Sequence, residues 1–326
     1  MTEHQLQPSL GLDLVRATVA AALSASRWVG RGDKEAADQA AVDAIRAALA
    51  SVNVDGVVVA TEGEKDEAPC FAVGERLGSG RGQKVDVAVD PIDGTSFTAK
   101  GLPNAIAVMA MAEEGTMYRP PSIYYTNKMA VGPEAHGAID IDAPILDNLR
   151  RIARFMGRKV ADLTVVMLDR PRNEALINEV RSAGARLKLI GGGDVAAAVE
   201  TAMPDDRGAD VLMGIGGTPE AVLAACALKA LGGEMQCRLW PRSDDERRWG
   251  IDTGIADLDR VLGLDDLVSG VSVFFAATGI TEGEFLRGIR FHGEVARADS
   301  IVVESASRTL RRIETWHPIG PPTLLG

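Results

Sequence analysis

Apolar residues recur at helical spacing in two stretches near the N-terminus, 11–29 and 34–50, which are rich in Ala, Val and Leu. This periodicity predicts two amphipathic helices. Shorter apolar runs at 55–60, 85–90 and 105–112 have the length and composition of strands. The first part of the chain is therefore predicted to be a mixed unit of helices and strands.

The pattern becomes more regular from about residue 160 onward. Strand-like runs lie at 163–168, 185–190 and 209–215. Helical patterns follow them at 173–184, 194–203 and 219–233. Repeated strand–turn–helix units predict an α/β layered arrangement with a largely parallel sheet, in which functional residues gather at the carboxyl ends of strands.

Late strands are predicted at 271–280 and at 299–314, and we interpret the second as a hairpin. The pattern of apolar runs changes near residue 160, and no linker marks the change. We therefore expect an N-terminal α+β part, residues 1–160, and a C-terminal α/β part, residues 161–326, that share a large interface.

Composition narrows the classes of function. The hydrophobic fraction of 46% excludes global disorder, and no apolar run reaches the roughly 20 residues that span a bilayer. The net charge of −11 argues against non-specific binding to nucleic acid or anionic membranes, and it suits the binding of cations. The first residues do not show a basic segment followed by an apolar one, so we expect no secretory signal; the three cysteines lie too far apart for a zinc set or a disulfide framework. We expect a cytoplasmic protein with no nucleic-acid or membrane partner.

An acidic residue lies on the apolar face of the second predicted helix. Asp38 begins the stripe that continues through Ala41, Val42, Ile45 and Leu49. A buried carboxylate costs several kcal/mol unless a cation or strong donors compensate it. The alternative is a helix-start acid that the helix dipole favours.

Two further groups of acids follow predicted strands. The acids in the loop after 55–60 are Glu62, Glu64, Asp66 and Glu67, which suit either a solvated loop or metal ligands. In GIGGTPE, Pro219 marks a helix start, so Glu220 lies in the first turn near the ligand-binding edge of the sheet. A plain first-turn acid is the alternative for Glu220.

The stretch VDVAVDPIDGTS, residues 85–96, is the most specific indication of a functional site in the chain. Asp90 is predicted to end the strand, and Gly94 lets a ligand approach the backbone closely. If a helix starts at Gly94-Thr95, its free amides form an anion cradle beside the carboxylates of Asp90 and Asp93. A chance Asp-Pro turn is the minor alternative.

Carboxylates for hard cations beside amides for an anion suit the hydrolysis of phosphate esters. The uncatalysed reaction is among the slowest known and needs accelerations of up to about 10²¹-fold. Two divalent cations roughly 4 Å apart can hold phosphoryl oxygens, activate water and stabilise the leaving oxygen. Both Mg²⁺ and Mn²⁺ prefer such oxygen ligands.

Several segments recur in order along the chain. They are GRGDKEAADQAAVDAIR (30–46), EGEKDEAP (62–69), VDPIDGT (89–95), NKMAVGPEA (127–135), LDRPR (168–172), GGDVAAAV (192–199), GIGGTPEAV (214–222) and FFAATGIT (274–281). Together, from about residue 9 to about 317, they resemble the class II fructose-1,6-bisphosphatases of bacteria, members of the lithium-sensitive, metal-dependent sugar and inositol phosphatase superfamily. The resemblance implies an α-β-α-β-α sandwich, a phosphoric monoester hydrolase that converts fructose 1,6-bisphosphate to fructose 6-phosphate in gluconeogenesis, and Mg²⁺ or Mn²⁺ as cofactor.

The resemblance also implies roles for individual residues. The implied metal ligands are Asp38, Glu62, Asp90, Asp93 and Glu220, with the Ile92 carbonyl as an extra ligand. The implied substrate-binding residues are Asp93, Gly94, Thr95, Tyr124, Arg170, Pro171, Arg172, Gly192, Gly193, Asp194 and Gly217. Thr95 is implied to orient or deprotonate the attacking water, with Asp66 and Lys34 in assisting roles. The two arginines suit the second phosphate of a bisphosphate.

Three departures from the family pattern leave the implied metal ligands in place. Gly192 stands in place of an Asp, Ala221 in place of a Gly, and Glu304 and Ala306 in place of basic residues. Because a site that hydrogen-bonds a hydroxyl discriminates strongly, these departures leave other substrates open: sedoheptulose 1,7-bisphosphate, an inositol phosphate or a ketose monophosphate. A catalytically silent sugar-phosphate-binding protein is a further alternative. A homo-oligomer is expected from the resemblance alone.

Overall fold

The computed structural model describes residues 6–62, 70–120, 123–204 and 208–319. Its α-helices are α1 (Leu10–Ser26), α2 (Lys34–Leu49), α3 (Thr95–Lys100), α4 (Ile145–Phe155), α5 (Glu174–Ala183), α6 (Asp194–Glu200), α7 (Thr218–Leu231), α8 (Asp244–Asp252) and α9 (Leu264–Leu267). Its strands are β1 (Val54–Thr61), β2 (Arg76–Leu77), β3 (Gln83–Asp93), β4 (Ile106–Glu113), β5 (Tyr125–Val131), β6 (Thr164–Leu168), β7 (Arg186–Ile190), β8 (Val211–Gly217), β9 (Glu234–Leu239), β10 (Leu262–Gly263), β11 (Phe274–Gly279), β12 (Arg290–His292), β13 (Val295–Glu304) and β14 (Thr309–Pro318).

The strands form two mixed sheets. The first has the order β12-β13-β11-β4-β3-β1-β2, with β14 paired to β13, and the second has the order β10-β9-β5-β8-β6-β7. In the second sheet β6 pairs in parallel with both β7 and β8, as the strand–helix repeat predicts. Strand β5 pairs antiparallel with β8 and β9 and so separates two strands of the same direction. The prediction of a largely parallel sheet missed β5 because this strand precedes the repeating pattern.

Helices form three layers around the two sheets. Helices α1 and α2 cover the outer face of the first sheet, where Leu14 and Ile45 are buried among strand side chains. Helices α6 and α7 lie between the sheets. Helices α4 and α5 cover the outer face of the second sheet with Leu149 and Val180. The predicted α-β-α-β-α sandwich is confirmed.

Helix α7 holds the middle layer together. It is buried from Ala221 to Leu228, as expected of a helix that is apolar on every side. Its charged side chains lie at its ends, Glu220 in the first turn and Lys229 in the last. This order suits the helix dipole and leaves Glu220 at the edge of the sheets, where the site is expected.

Strands β13 and β14 pair antiparallel along their full lengths, which confirms the predicted hairpin. Both sheets take strands from both sides of residue 160, since β5 joins the second sheet and β11 to β14 join the first. The division into 1–160 and 161–326 therefore does not coincide with the division into sheets, and it stays a prediction.

Two expectations from composition can be compared with the structure. The three cysteines form no disulfide, as predicted; Cys70 is half-buried, whereas Cys226 and Cys237 are buried. Within the described residues, no helix combines the length and the apolar character needed to cross a membrane.

Candidate active site

The end of β3 contains a bulge. Asp90 is opposite Val108 of β4, whereas Asp93 is opposite Ile106, so β3 uses one more residue than β4 over this step. In a regular strand, residues three apart face opposite sides, and the extra residue brings Asp90 and Asp93 to the same cleft. The prediction that Asp90 ends the strand is wrong, because β3 continues through the bulge to Asp93.

The carboxylates of Asp90 and Asp93 are buried, with exposed fractions of 2% and 6%. Asp90 Oδ1 accepts a hydrogen bond from the amide of Ile92 at 3.0 Å. The Oδ2 atom of each has no hydrogen-bond partner among the described residues. Burial, and after it the charges of neighbouring acids, raise the pKa of both carboxyl groups well above the usual value. The pair is therefore costly to ionise without a compensating cation.

Helix α3 begins directly after the bulge. Gly94 precedes it with a φ of 99°, in the left-handed region that a residue without a Cβ adopts easily. Because the first amides of a helix have no acceptor within the helix, this segment can donate to an anion, as the sequence predicts. Thr95 Oγ1 lies 3.1 Å from Asp38 Oδ1 and 3.1 Å from the Ile92 carbonyl oxygen, so one proton serves two acceptors.

Three further acids approach the bulge from different elements. Asp38 lies on α2 and is half-buried, Glu62 directly follows β1, and Glu220 lies in the first turn of α7. Together with Asp93, their charges add to the effect of burial on the pKa of Asp90. Among the described residues, however, no group of three or more His, Cys, Asp and Glu side chains is already arranged to hold one metal ion. The acids share one cleft, and their assignment as ligands stays a prediction.

Tyr124 connects the acids to the substrate side of the cleft. Its hydroxyl donates to Glu220 Oε1 at 3.3 Å. Burial, followed by the charges of Glu220, Glu62 and Asp90, raises the pKa of Tyr124 far above its usual value. The phenol therefore keeps its proton and acts as a donor.

The loop after β6 contributes two arginines to the lining of the cleft. The guanidinium carbon of Arg172 lies 4.5 Å from the ring centroid of Tyr125, and its Nε donates to the Ile215 carbonyl at 3.0 Å. Arg170 donates to the Gly191 carbonyl. Backbone carbonyls thus hold both guanidinium groups from one side, and their other N–H groups can bind an anion.

The glycine segment after β7 packs on an aromatic ring. A Cβ placed on Gly192 would lie 3.4 Å from the ring of Phe97, and one placed on Gly191 would lie 3.2 Å from it. Gly193 precedes α6 with a φ of 77°. The segment therefore presents bare backbone and the Phe97 ring to the cleft.

These elements surround a cleft of about 470 Å³. The predicted site residues that line it are Lys34, Asp38, Glu62, Asp90, Asp93, Gly94, Thr95, Tyr124, Arg170, Arg172, Gly192, Gly193, Asp194, Gly217 and Glu220. Pro171 begins a 3₁₀ turn, is exposed and is not among the lining residues. Asp66 lies outside the described residues. The structure thus brings the described acids, glycines and arginines together, while their individual roles stay predictions.

A larger, shallower cavity of about 1140 Å³ lies around the end of α7. None of the predicted site residues line it. Charged residues at its wall already pair with each other, Arg158 with Asp210 at 2.7 Å and Lys229 with Asp265 at 2.6 Å. We therefore place the candidate site in the smaller, acidic cleft.

Several residues at the site were not predicted, and three of them are Tyr125, Phe97 and Lys128. Tyr125 and Phe97 line the cleft, and Lys128 is buried beneath it in an ion pair with Asp194. The sequence signal for Lys128 was a single charge inside the apolar segment NKMAVG, which is rare unless the charge is paired. No comparable signal distinguished Phe97.

Comparison with known proteins identifies the family of this chain. The family model described as "Bacterial fructose-1,6-bisphosphatase, glpX-encoded" matches residues 8–317. The chain belongs to the class II fructose-1,6-bisphosphatase family. Its relatives include fructose-1,6-bisphosphatase 1 class 2 of Escherichia coli (strain K12), to which it is 43% identical over 329 residues, with 96% of each chain covered. The class 2 protein of Shigella flexneri matches with the same identity and coverage.

Membership of the class II family confirms the resemblance seen in the sequence and the prediction of a phosphoric monoester hydrolase. Among solved structures, the extragenic suppressor protein suhB from Bartonella henselae matches 59% of this chain and 74% of its own, at 14% identity and a TM-score of 0.34. A likeness this weak carries no argument about the site.

Proposed function

We propose that this class II family member hydrolyses fructose 1,6-bisphosphate to fructose 6-phosphate and phosphate in a reaction that depends on divalent cations. The observation that carries the proposal is the pair of buried carboxylates, Asp90 and Asp93, beside the Gly94-Thr95 backbone. Relatives named for this substrate, at 43% identity, support the choice of substrate.

The oxygen atoms of the cleft fit Mg²⁺ or Mn²⁺. The buried Oδ2 atoms of Asp90 and Asp93 have no hydrogen-bond partner in the described part of the chain, which is costly for a carboxylate unless a cation compensates it. Hard divalent cations prefer carboxylate and carbonyl oxygens. The residues that would hold them are Asp38, Glu62, Asp90, Asp93 and Glu220. When bound, the cations would supply Lewis-acid activation of the phosphoryl group and of the attacking water.

Thr95 is proposed to orient that water. Its hydroxyl proton is directed to Asp38 Oδ1 or to the Ile92 carbonyl, so its lone pairs can accept a hydrogen bond from water. As the water attacks phosphorus, Thr95 Oγ1 can take a proton from it and pass its own to Asp38, so that protons balance. Assisting roles remain proposed for Lys34, which lies at the exposed rim, and for Asp66.

Arg170 and Arg172 are proposed to bind the phosphate that is not cleaved. The Ile215 and Gly191 carbonyls orient their guanidinium groups, and both arginines line the same cleft as the acids. A planar guanidinium pairs with two phosphate oxygens at once, which a lysine cannot do. A substrate with phosphate at both ends would therefore be held more tightly than a monophosphate.

Phosphate release from a panel of substrates tests the function. The panel contains fructose 1,6-bisphosphate, sedoheptulose 1,7-bisphosphate, an inositol monophosphate and fructose 1-phosphate, each with Mg²⁺ and with Mn²⁺. We expect the highest kcat/KM with fructose 1,6-bisphosphate and no turnover in EDTA. Preference for another compound would correct the substrate, whereas binding without release under either cation would overturn the hydrolysis.

Asp90→Asn tests the site within the same assay. The variant should lose at least about 100-fold in kcat, since even outer-shell changes at metal sites cost about 10- to 100-fold. Asp86→Asn is the matched control, because Asp86 is fully buried on the same strand but accepts from the Met117 amide at 3.1 Å, outside the cleft. Retained turnover in Asp90→Asn, or equal loss in both variants, would contradict the site.

Other expectations from the sequence stay predictions. These are the homo-oligomer, the cytoplasmic location, the absence of nucleic-acid and membrane partners, and the choice between Mg²⁺ and Mn²⁺. The net charge of −11 supports the expected absence of nucleic-acid binding.

A further inference from the structure

Lys128 on β5 has an unusual environment for a lysine. Its side chain is 2% exposed, and among the described lysines and arginines it is the buried one. A buried ammonium group is unfavourable by several kcal/mol unless it is paired and hydrogen-bonded. Its neighbours must therefore compensate this cost.

Two groups of the cleft compensate the Lys128 charge. Its Nζ lies 2.7 Å from Asp194 Oδ2 and donates to the Gly217 carbonyl at 3.2 Å. Asp194 begins α6 and its side chain is 6% exposed, while Gly217 ends β8 immediately before α7. One ammonium group thus joins β5 to the first residue of α6 and to the residue that precedes α7.

The space around this ion pair exists because the adjacent residue is a glycine. A Cβ on Gly216 would lie 2.1 Å from Asp194 Oδ2 and 2.8 Å from Lys128 Nζ. The pair therefore packs directly on bare backbone, and a side chain at position 216 would displace it.

The pair lies next to the acids that we propose as metal ligands. Asp194 lines the same cleft as Asp93 and Glu220. Without Lys128, Asp194 would be one more uncompensated carboxylate beside Asp93. It could then compete for a cation and draw it away from the productive position.

We propose that Lys128 is a positioning residue of the cleft, which withholds Asp194 from the cation ligands. The inference rests on the proposed function, because it presumes that the cleft binds divalent cations. It adds a residue that acts through Asp194 and does not itself line the cleft.

A double-mutant cycle that measures Mn²⁺ binding by calorimetry, without substrate, tests the inference. Lys128→Met removes a positive charge and frees a carboxylate, so we expect Mn²⁺ to bind about tenfold more tightly while kcat falls about tenfold or more. Asp194→Asn leaves the ammonium unpaired, so Mn²⁺ should bind about tenfold more weakly. The double variant has no uncompensated charge, and its Mn²⁺ affinity should return to within about threefold of wild type.

Lys229→Met is the matched control. Lys229 also pairs with one carboxylate, Asp265 at 2.6 Å, and donates to one carbonyl, that of Val268 at 2.9 Å, but it does not line the cleft. Its removal should leave Mn²⁺ affinity and kcat unchanged. This control separates an effect of the cleft charge from the general loss of a lysine pair.

Opposite movement of Mn²⁺ affinity and kcat in Lys128→Met is the signature of positioning, because a merely structural loss would weaken both. The inference is overturned if Lys128→Met and Asp194→Asn shift Mn²⁺ affinity in the same direction, or if Lys128→Met behaves like Lys229→Met. If Lys128→Met does not fold, the Mn²⁺ affinities of Asp194→Asn and of the double variant test the inference. The affinity of Asp194→Asn should be about tenfold weaker than that of wild type, and that of the double variant should be within about threefold of wild type. Absence of Mn²⁺ binding in wild type would instead refute the proposed function.

Discussion

Gly217 and Glu220 lie so close together that a Cβ on Gly217 would be 1.9 Å from Glu220 Oε2. The backbone of Gly217 has φ −70° and ψ 148°, which any residue adopts. Glycine is needed at this position for space and not for conformation. The contacting atom is the end of a flexible side chain, so an added methyl group would displace the carboxylate and leave the backbone in place.

Gly217→Ala should therefore raise the Mn²⁺ concentration needed for half-maximal activity about tenfold, as expected for a change next to a metal ligand. The Tm should change only slightly. The measurement is phosphate release as a function of Mn²⁺ concentration, beside a thermal melt. Gly263→Ala is the control, because its new Cβ would have its nearest contact at 3.7 Å and its φ of −85° is ordinary. Unchanged Mn²⁺ dependence in Gly217→Ala would remove Glu220 from the proposed ligands.

Thr95→Ala should lower kcat by about 10²- to 10⁴-fold, the range of general acid–base contributions, with Mn²⁺ affinity almost unchanged. Thr95→Ser keeps the hydroxyl near Asp38 Oδ1 and the Ile92 carbonyl, so it should retain most of the activity. Steady-state kinetics at saturating Mn²⁺ compares the two variants. Equal activity of the Ala and Ser variants would show that the hydroxyl has no role in turnover.

Arg170→Ala should raise KM for fructose 1,6-bisphosphate by about 10- to 100-fold, since a hydrogen bond to a charged group contributes about 1.5–3 kcal/mol. KM for a monophosphorylated ketose should change little, because that substrate lacks the second phosphate. Arg186→Ala is the control, since Arg186 is an exposed arginine on β7 that donates to the Asp162 carbonyl and does not line the cleft. A similar rise in KM for both substrates would show that Arg170 does not act on the second phosphate.

The pair between Arg46 and Glu75 predicts a dependence of stability on pH. Arg46 Nε and Nη2 donate to Glu75 Oε1 and Oε2 at 2.8 and 3.1 Å, and these hydrogen bonds lower the pKa of Glu75. A carboxyl with a lowered folded-state pKa adds stability above its unfolded pKa, near 4.3, and loses it as pH falls through the folded value. Because the Arg46 side chain is 40% exposed, we expect about 1 kcal/mol or less.

Glu75→Gln should thus lower Tm near neutral pH and have little effect at acidic pH, below the folded-state pKa of Glu75. Thermal melts at several pH values measure this difference. Glu114→Gln provides the control, because Glu114 and Lys84 are 3.7 Å apart and about half-exposed, so their pair contributes little at any pH. A Tm loss in Glu75→Gln that persists at acidic pH would point to packing and not to charge.

Much of the architecture followed from local pattern. The strand–helix repeats after residue 160 predicted β6, β7 and β8 with their helices, because the hydrophobic period changes between strand and helix in each unit. Strand β5 was missed, since its direction depends on pairing with β8 and β9, which are distant in sequence. Pairing between distant segments leaves little trace in local spacing.

The sequence by itself determined the sandwich class, the family and the acidic and glycine-rich segments of the site, because periodicity and motif spacing are properties of short stretches. Only the tertiary structure decided that an extra residue in β3 turns Asp90 and Asp93 into one cleft, and that Lys128 is buried against Asp194. Strand register and the pairing of buried charges arise when separate elements pack together. A single charged residue in a strand does not reveal which partner, from another part of the chain, will neutralise it.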